Sequence, residues 1–329
     1  MIVEIILLKN TVSILGNFRM RSECLFHDVD VGLSYSQSNV MIYDCFFVRS
    51  VQNSGNGGVI FVSGGSYFMN VSRSMFYNCS CSSSGGAIYF DSSNACLKTI
   101  CANRCSASSK HFAYVETTQN NMAEFITFSD CSYSAVGQYG MWFHNGYQAI
   151  SNLNSSMNNV QRGSGVIFSY PLSFHSSFCT VSHNYASQDI CVEFYHCSGK
   201  LSFSNIVENN SPSSYGVNII NVGSSQMLYC IFRMNHNALF CVLSGSLSVS
   251  HCFIFHDETF SSLNPIAEYN NSLTMMQTYK LQYYYTHFCY AELPINQPNS
   301  INKLQYAYNT RINIRFFGVL LLITSAFPE

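Results

Sequence analysis

Phe76-Tyr77-Asn78-Cys79, then a polar stretch, then Gly85-Gly86-Ala87-Ile88-Tyr89-Phe90: this segment decides the fold. It has a near copy in Phe47-Val48-Arg49-Ser50 leading to Gly57-Gly58-Val59-Ile60-Phe61-Val62. Each copy opens on apolar residues, passes through a polar residue and a Ser/Gly-rich stretch, and ends in an apolar run of period two. Alternation of that period marks a strand, whereas a helix returns its apolar residues every three to four positions. Ser, Asn and Gly between the runs favour turns over helix interiors.

Weaker copies follow, opening at Cys101, Phe128, Met157, Val181, Ile206 and Phe232, with a partial one at Phe253. The second-strand starts Val59, Ala87, Phe112, Met141, Val166, Cys191, Val217 and Phe240 lie 28, 25, 29, 25, 25, 26 and 23 residues apart. A period in this range is the signature of a solenoid, in which each unit covers its neighbour's apolar face. The spacing predicts a single all-β parallel β-helix of about nine coils of roughly 25 residues. Within each coil, the Asn after the first strand, as at Asn78, suits a tight bend because Asn tolerates left-handed backbone. The Gly57-Gly58 and Gly85-Gly86 pairs mark turns where a Cβ would clash.

The predicted organisation is an N-terminal strand or cap over 1–37, the repeats over 38–256, an aromatic-rich cap over 257–295, and a linker with a short apolar tail over 296–329. Met1 to Lys9 has no basic start and carries Glu4 in its apolar run, so it reads as a strand rather than a signal peptide. Twelve residues, Phe316 to Phe327, form an apolar stretch reaching only about 18 Å as a helix, against a hydrocarbon core of about 30 Å. A truncated anchor, an interfacial segment giving weak membrane attachment through 316–327, and a final buried element are the alternatives for that tail.

Apolar residues make up 47% of the chain and charged ones only 10%, so Ser and Asn must coat the surface. The net charge is −2 with no basic run, which leaves nucleic acid without an electrostatic footprint. The chain has fifteen cysteines. Cys79, Cys105 and Cys131 recur one coil apart and predict a stacked ladder of buried thiols; disulfides and metal ligation are the alternatives. Cys191 and Cys241, two coils apart, predict a second same-face stack. Sequons at Asn70, Asn78, Asn154, Asn209 and Asn270 are candidate glycosylation sites, with a structural role competing at the bend positions.

The GGVIF at Gly57–Phe61, the GGAIYF at Gly85–Phe90 and the FYN at Phe76–Asn78 resemble the GGA(I/L/V) and FxxN repeats of polymorphic outer membrane proteins, and of large surface-protein families in parasitic protists. The resemblance covers about residues 38–256. It implies a pectin lyase-like, right-handed β-helix and a cell-surface or secreted, often adhesive, protein. The chain departs from the bacterial group in showing no outer-membrane barrel after the repeats.

No catalytic centre is visible. The acidic residues Asp28, Asp30, Asp44, Asp91, Asp130, Asp189, Glu193, Glu208, Asp257 and Glu258 are scattered, with no stack of Asp at one coil spacing. A glycosidase needs paired carboxylates in one cleft, and a lyase needs carboxylates for a cation plus a base. Cys101 and Cys105 with His111 come nearest to a metal cluster, and Cys191, His196 and Cys197 to a nucleophile pair, but neither has the spacing or the further partners such chemistry needs. No cofactor is implied. The functional expectation is a non-catalytic surface or secreted repeat protein binding a glycan or protein ligand through its lateral face. A carbohydrate-active enzyme and an intracellular scaffold are the rivals. Three carboxylates close together in a lateral groove would mark the enzyme, and a fully reduced cysteine set the scaffold.

Overall fold

The computed structural model describes residues 18–20, 24–27, 33–34, 39–132, 137–188, 191–212, 217–255 and 268–270. They form a right-handed parallel β-solenoid of about 8 turns, with no helix among the described residues. The count is slightly below the nine expected. The copy opening at Phe253 supplies only the strand Phe253–Phe255 and, further on, Glu268–Asn270. The rest of 257–295 and all of 296–329, tail included, lie outside the described residues.

Each coil runs through three sheets. In one coil, Ile88–Ser92 belongs to the first sheet, and Asn94–Asn103 crosses the second, bends at Thr99, and continues into the third. Every strand pairing among the described residues is parallel, and the register holds from coil to coil except at bulges near Lys110, Tyr139, Tyr195 and Asn221. The first sheet stacks Ile60, Ile88, Ala113, Met141, Val166 and Val192. The third stacks Phe47, Phe76, Ala102 and Phe128. The N-terminal strands Phe18–Met20, Cys24–His27 and Leu33–Ser34 already pair this way with the coil that follows.

The expected strand starts agree with the register only in part. From Ile60 to Ile88 is 28 residues, but from Ile219 to Phe240 only 21. Turns absorb the difference, so counting at a fixed period slips by a residue or two.

Alternation places one residue in two inside. Ile88–Ser92 alternates buried and half-buried along its length. Phe47, Phe76, Phe112, Phe128, Phe143, Phe168 and Phe194 are all fully buried, and most stack ring on ring through successive coils. Burying a Phe is worth roughly 1.5–3 kcal/mol, so these rings are a large share of the apolar stabilisation.

Two corners repeat with near-constant geometry. Between the second and third sheets, Asp44, Arg73, Thr99, Phe125, Asn152, Phe178, Phe203, Tyr229 and His251 all have φ between 47° and 57°. After the third sheet, Arg49, Asn78, Arg104, Asp130, Met157, His183, Glu208 and Met234 do the same. Left-handed backbone at a non-glycine residue costs on the order of 1 kcal/mol, so the surroundings must hold it. Asn is thus not the general bend residue: among these corner residues only Asn78 and Asn152 are asparagines.

The other asparagines serve one position later. Asn158, Asn184, Asn209 and Asn235 stack as a buried ladder. Each of the first three donates its backbone N–H to the next amide oxygen, at 3.0, 3.1 and 3.0 Å. Asn184, Asn209 and Asn235 each donate Nδ2 to a third-sheet carbonyl of the previous coil, at 3.0, 2.8 and 2.8 Å. Cys79, Cys105 and Cys131 occupy the same column in earlier coils and are fully buried, as the ladder reading requires. Gly57 and Gly85 sit at φ 69° and 71°, and a Cβ on Gly58 or Gly86 would meet a carbonyl of the next coil at 2.0 or 2.2 Å.

The second cysteine stack is not formed. Cys241 pairs with Ile220, and Ile220 with Glu193, so Cys191 and Cys241 stand in different columns. The short coil between them causes the slip. A stack not foreseen places Cys230 over Cys252, with the Cys230 N–H donating to Cys252 Sγ at 3.3 Å.

Candidate functional site

Outward residues of the first sheet carry the densest chemistry. Tyr89, Tyr114 and Trp142 are register partners on three successive coils, and Asp91, Glu116 and His144 are partners two residues further on. Period two explains both columns. Phe90, Val115 and Phe143 between them point inward and are buried, so their neighbours must face out. The turn Asn145-Gly146, both residues left-handed, closes the C-terminal side of the third of these strands.

Glu116 is the hub. It accepts a short hydrogen bond from the Tyr114 hydroxyl and one from Asn145 Nδ2 at 2.9 Å, and His144 Nε2 lies 3.8 Å away. The Glu116 and His144 side chains are 27% and 21% exposed, half-buried yet reachable from solvent. Asp91 stands in the preceding coil, one inter-strand spacing of about 4.8 Å away. Burial pushes the Asp91 carboxyl up, the neighbouring Glu116 pushes it further, and His144 partly opposes this. Burial holds His144 below the ordinary imidazole value, against the pull of Glu116. The Tyr114 phenol is raised by burial and then by its bond to Glu116.

Beside these groups lies an aromatic cage. Lys110 Nζ sits 4.7 Å from the Trp142 ring centroid, 5.2 Å from Tyr114 and 5.9 Å from Tyr139. Tyr139 and Trp142 meet edge to face at 4.6 Å. Trp142 Nε1 and His144 Nδ1 are buried without a hydrogen-bond partner. Ring faces next to carboxylates suit sugars, whose C–H faces stack on aromatics while their hydroxyls donate to oxygen. A carboxyl pushed up by burial, as at Asp91, beside a second carboxyl is also an arrangement in which one group can hold a proton for transfer.

No family model, curated protein or solved structure matches this chain.

The register stacks Asp91 on Glu116, a mixed pair that a search for repeated Asp does not find. Glu193 stands in the Trp142 column two coils on, while Asp44 pairs with Arg73 at 2.6 Å, Asp130 with Arg104 at 2.9 Å, and Glu208 with His183 at 2.7 Å. Asp28, Asp30, Asp189, Asp257 and Glu258 lie outside the described residues. The Cys101, Cys105, His111 grouping is not assembled. Cys101 is disulfide-bonded, Cys105 is in the thiol ladder, and His111 Nδ1 accepts the Ala107 N–H at 3.0 Å. Cys191 and Cys197 are buried and make separate sulfur contacts, to Asn184 and Phe168 carbonyls, while His196 is exposed.

Among the sequons, Asn78 is exposed at its corner. Asn70 is half-buried and donates to the Tyr43 hydroxyl at 3.0 Å. Asn154 and Asn209 are fully buried, and Asn209 Nδ2 is bonded within the ladder, so the folded chain presents neither amide for modification. The side chain of Asn270 lies outside the described residues.

Glu116, His144, Lys110 and Trp142 were missed because each belongs to a different stretch of sequence from Asp91. The signal was present as Tyr89-Phe90-Asp91, Tyr114-Val115-Glu116 and Trp142-Phe143-His144: aromatic, buried apolar, polar titratable, once per coil.

Proposed function

We propose that this chain is a cell-surface or secreted β-solenoid that binds a glycan on the outer face of its first sheet, without catalysis. The stacking of Tyr89, Tyr114 and Trp142 above Asp91 and Glu116 carries the reading. Half-buried aromatic rings beside carboxylates match the mixed apolar and hydroxyl surface of a sugar. The Gly-Gly and FYN motifs support the surface-family resemblance and a pectin lyase-like lineage. A disulfide at Cys101 and an exposed sequon at Asn78 favour an oxidising compartment over an intracellular scaffold.

Calorimetric titration of the full chain against a panel of neutral and charged oligosaccharides tests the binding. Trp142→Ala is expected to weaken any hit at least about tenfold, since base and sugar platforms of this kind depend on their aromatic; unchanged affinity would remove the site. Surface biotinylation of intact cells tests location, and complete protection of the chain would refute exposure.

A second reading is hydrolysis or elimination at a glycosidic bond. Asp91 with Glu116 favours it, because a carboxyl pushed up beside a second carboxylate is the pattern of a general acid paired with a base. Release of reducing ends that disappears in Glu116→Gln would promote this reading over simple binding.

A further inference from the structure

Resting on the glycan reading above, we propose that the site is selective for a protonated amine, the free amino group of an amino-sugar glycan, and that Lys110 occupies the amine's seat until ligand displaces it. Lys110 Nζ lies over three rings, and among the described residues no carboxylate pairs with it. The aromatic faces are therefore its partners. A cation over such faces is drawn by the ring quadrupole, and more strongly when water is excluded. The cage thus already shows the charge it prefers.

The surrounding charges agree. Asp91 and Glu116 line the approach, and Glu193 stands in the Trp142 column two coils on. Against them stand Lys110 and the exposed Arg162, which donates to the Tyr139 hydroxyl at 3.4 Å on the rim. An acidic sugar would meet two carboxylates at the floor. A neutral sugar would leave the cage holding its lysine. An amine would take the lysine's place over the rings and lie beside Glu116 and Asp91, releasing Lys110 to solvent.

Trp142 is the only tryptophan in the chain, so its fluorescence reports the cage directly. The test titrates the full chain with hexamers of glucosamine, N-acetylglucosamine and galacturonate, and with phosphocholine, in mildly acidic buffer that keeps the amine protonated. Glucosamine hexamer is expected to bind at least about tenfold more tightly than the other three. Lys110→Met, which keeps the bulk over the rings but removes the competing charge, is expected to tighten it several-fold. Glu116→Gln, with an unchanged circular dichroism spectrum, is expected to weaken it about tenfold. Equal binding of the acetylated hexamer overturns the amine inference and leaves the glycan reading standing. Tighter binding of phosphocholine overturns the glycan as the source of the amine. Weaker glucosamine binding in Lys110→Met overturns the displacement, and silence from all three hexamers sinks the glycan reading itself.

Discussion

The corner after the third sheet is built twice. In earlier coils it stacks thiols, Cys79, Cys105 and Cys131; in later coils it stacks amides, Asn158, Asn184, Asn209 and Asn235. The backbone hardly differs: the preceding residue has φ between 52° and 56° throughout. The acceptors correspond as well. Cys79 and Cys105 point their sulfurs at the Phe47 and Phe76 carbonyls at 3.6 and 3.7 Å, and the amides reach the equivalent Ser155, Val181 and Ile206 carbonyls at 2.8–3.0 Å. A thiol fills the space and makes a weak bond, whereas an amide fills it and bonds twice. One fold position thus accepts either packing or hydrogen bonding as the device that holds its left-handed bend. The two meet where the Cys131 N–H donates to Asn158 Oδ1 at 2.9 Å.

The largest expected effect breaks the amide half. Asn184 Oδ1 takes both the backbone and side-chain N–H of Asn158 at 3.0 Å, and its Nδ2 satisfies the Ser155 carbonyl. Asn184→Leu keeps the volume and strands those groups without water. Each buried orphan costs about 1–3 kcal/mol, so the loss should approach about 4 kcal/mol in urea unfolding. A loss under about 1 kcal/mol would mean the amide bonds are incidental and the halves are equivalent.

Acid should separate the halves next. The amides do not titrate, but the coil of Cys105 also buries His111, whose imidazole burial pushes down to about 4. The unfolded chain takes up this proton near the ordinary value of 6.5, and the folded chain only near 4. The unfolded state therefore gains stability as pH falls through that window, and the fold loses up to about 3 kcal/mol. Hydrogen exchange should show the thiol half opening before the amide half as pH is lowered from 6.5 to 4. His111→Gln should flatten this part of the dependence, and an unaltered slope would place the acid sensitivity elsewhere.

Cys105→Ala probes the thiol half by packing alone. It removes one buried sulfur and a weak bond, and the two neighbouring thiols can close part of the gap. A loss of about 1–2 kcal/mol is expected, well short of Asn184→Leu. Equal losses would erase the distinction between the two devices.

How much of this was legible follows from the same contrast. The thiol column was readable because Cys79, Cys105 and Cys131 are rare residues at equal spacing. The amide column was seen but given the wrong work, since Asn158 and its successors follow the bend rather than making it. Left-handed corners at Arg73, Phe178 or Glu208 leave no compositional mark, because packing and ladder bonds impose them on residues with no such preference. The solenoid itself was legible from period-two runs. The coil lengths were not, because turns absorb a few residues at no cost to register, and the Cys191–Cys241 pairing failed for that reason. The aromatic and carboxylate face was hidden by the same variability: Asp91 and Glu116 line up only once the coils are set in register.

The smallest effect concerns the exposed side of the thiol corner, where Arg104 Nε and Asp130 Oδ2 sit 2.9 Å apart, one coil over the other. Their side chains are 52% and 36% exposed, so water and salt screen the pair and two flexible side chains lose freedom to form it. Arg104→Ala should cost below about 1 kcal/mol, less in high salt, and should not change the order in which the halves open. The left-handed bend stays in place because its support is inside, at Cys105 beneath, rather than outside. A loss as large as that of Cys105→Ala, persisting in high salt, would move the burden of the thiol half from its buried column to its surface.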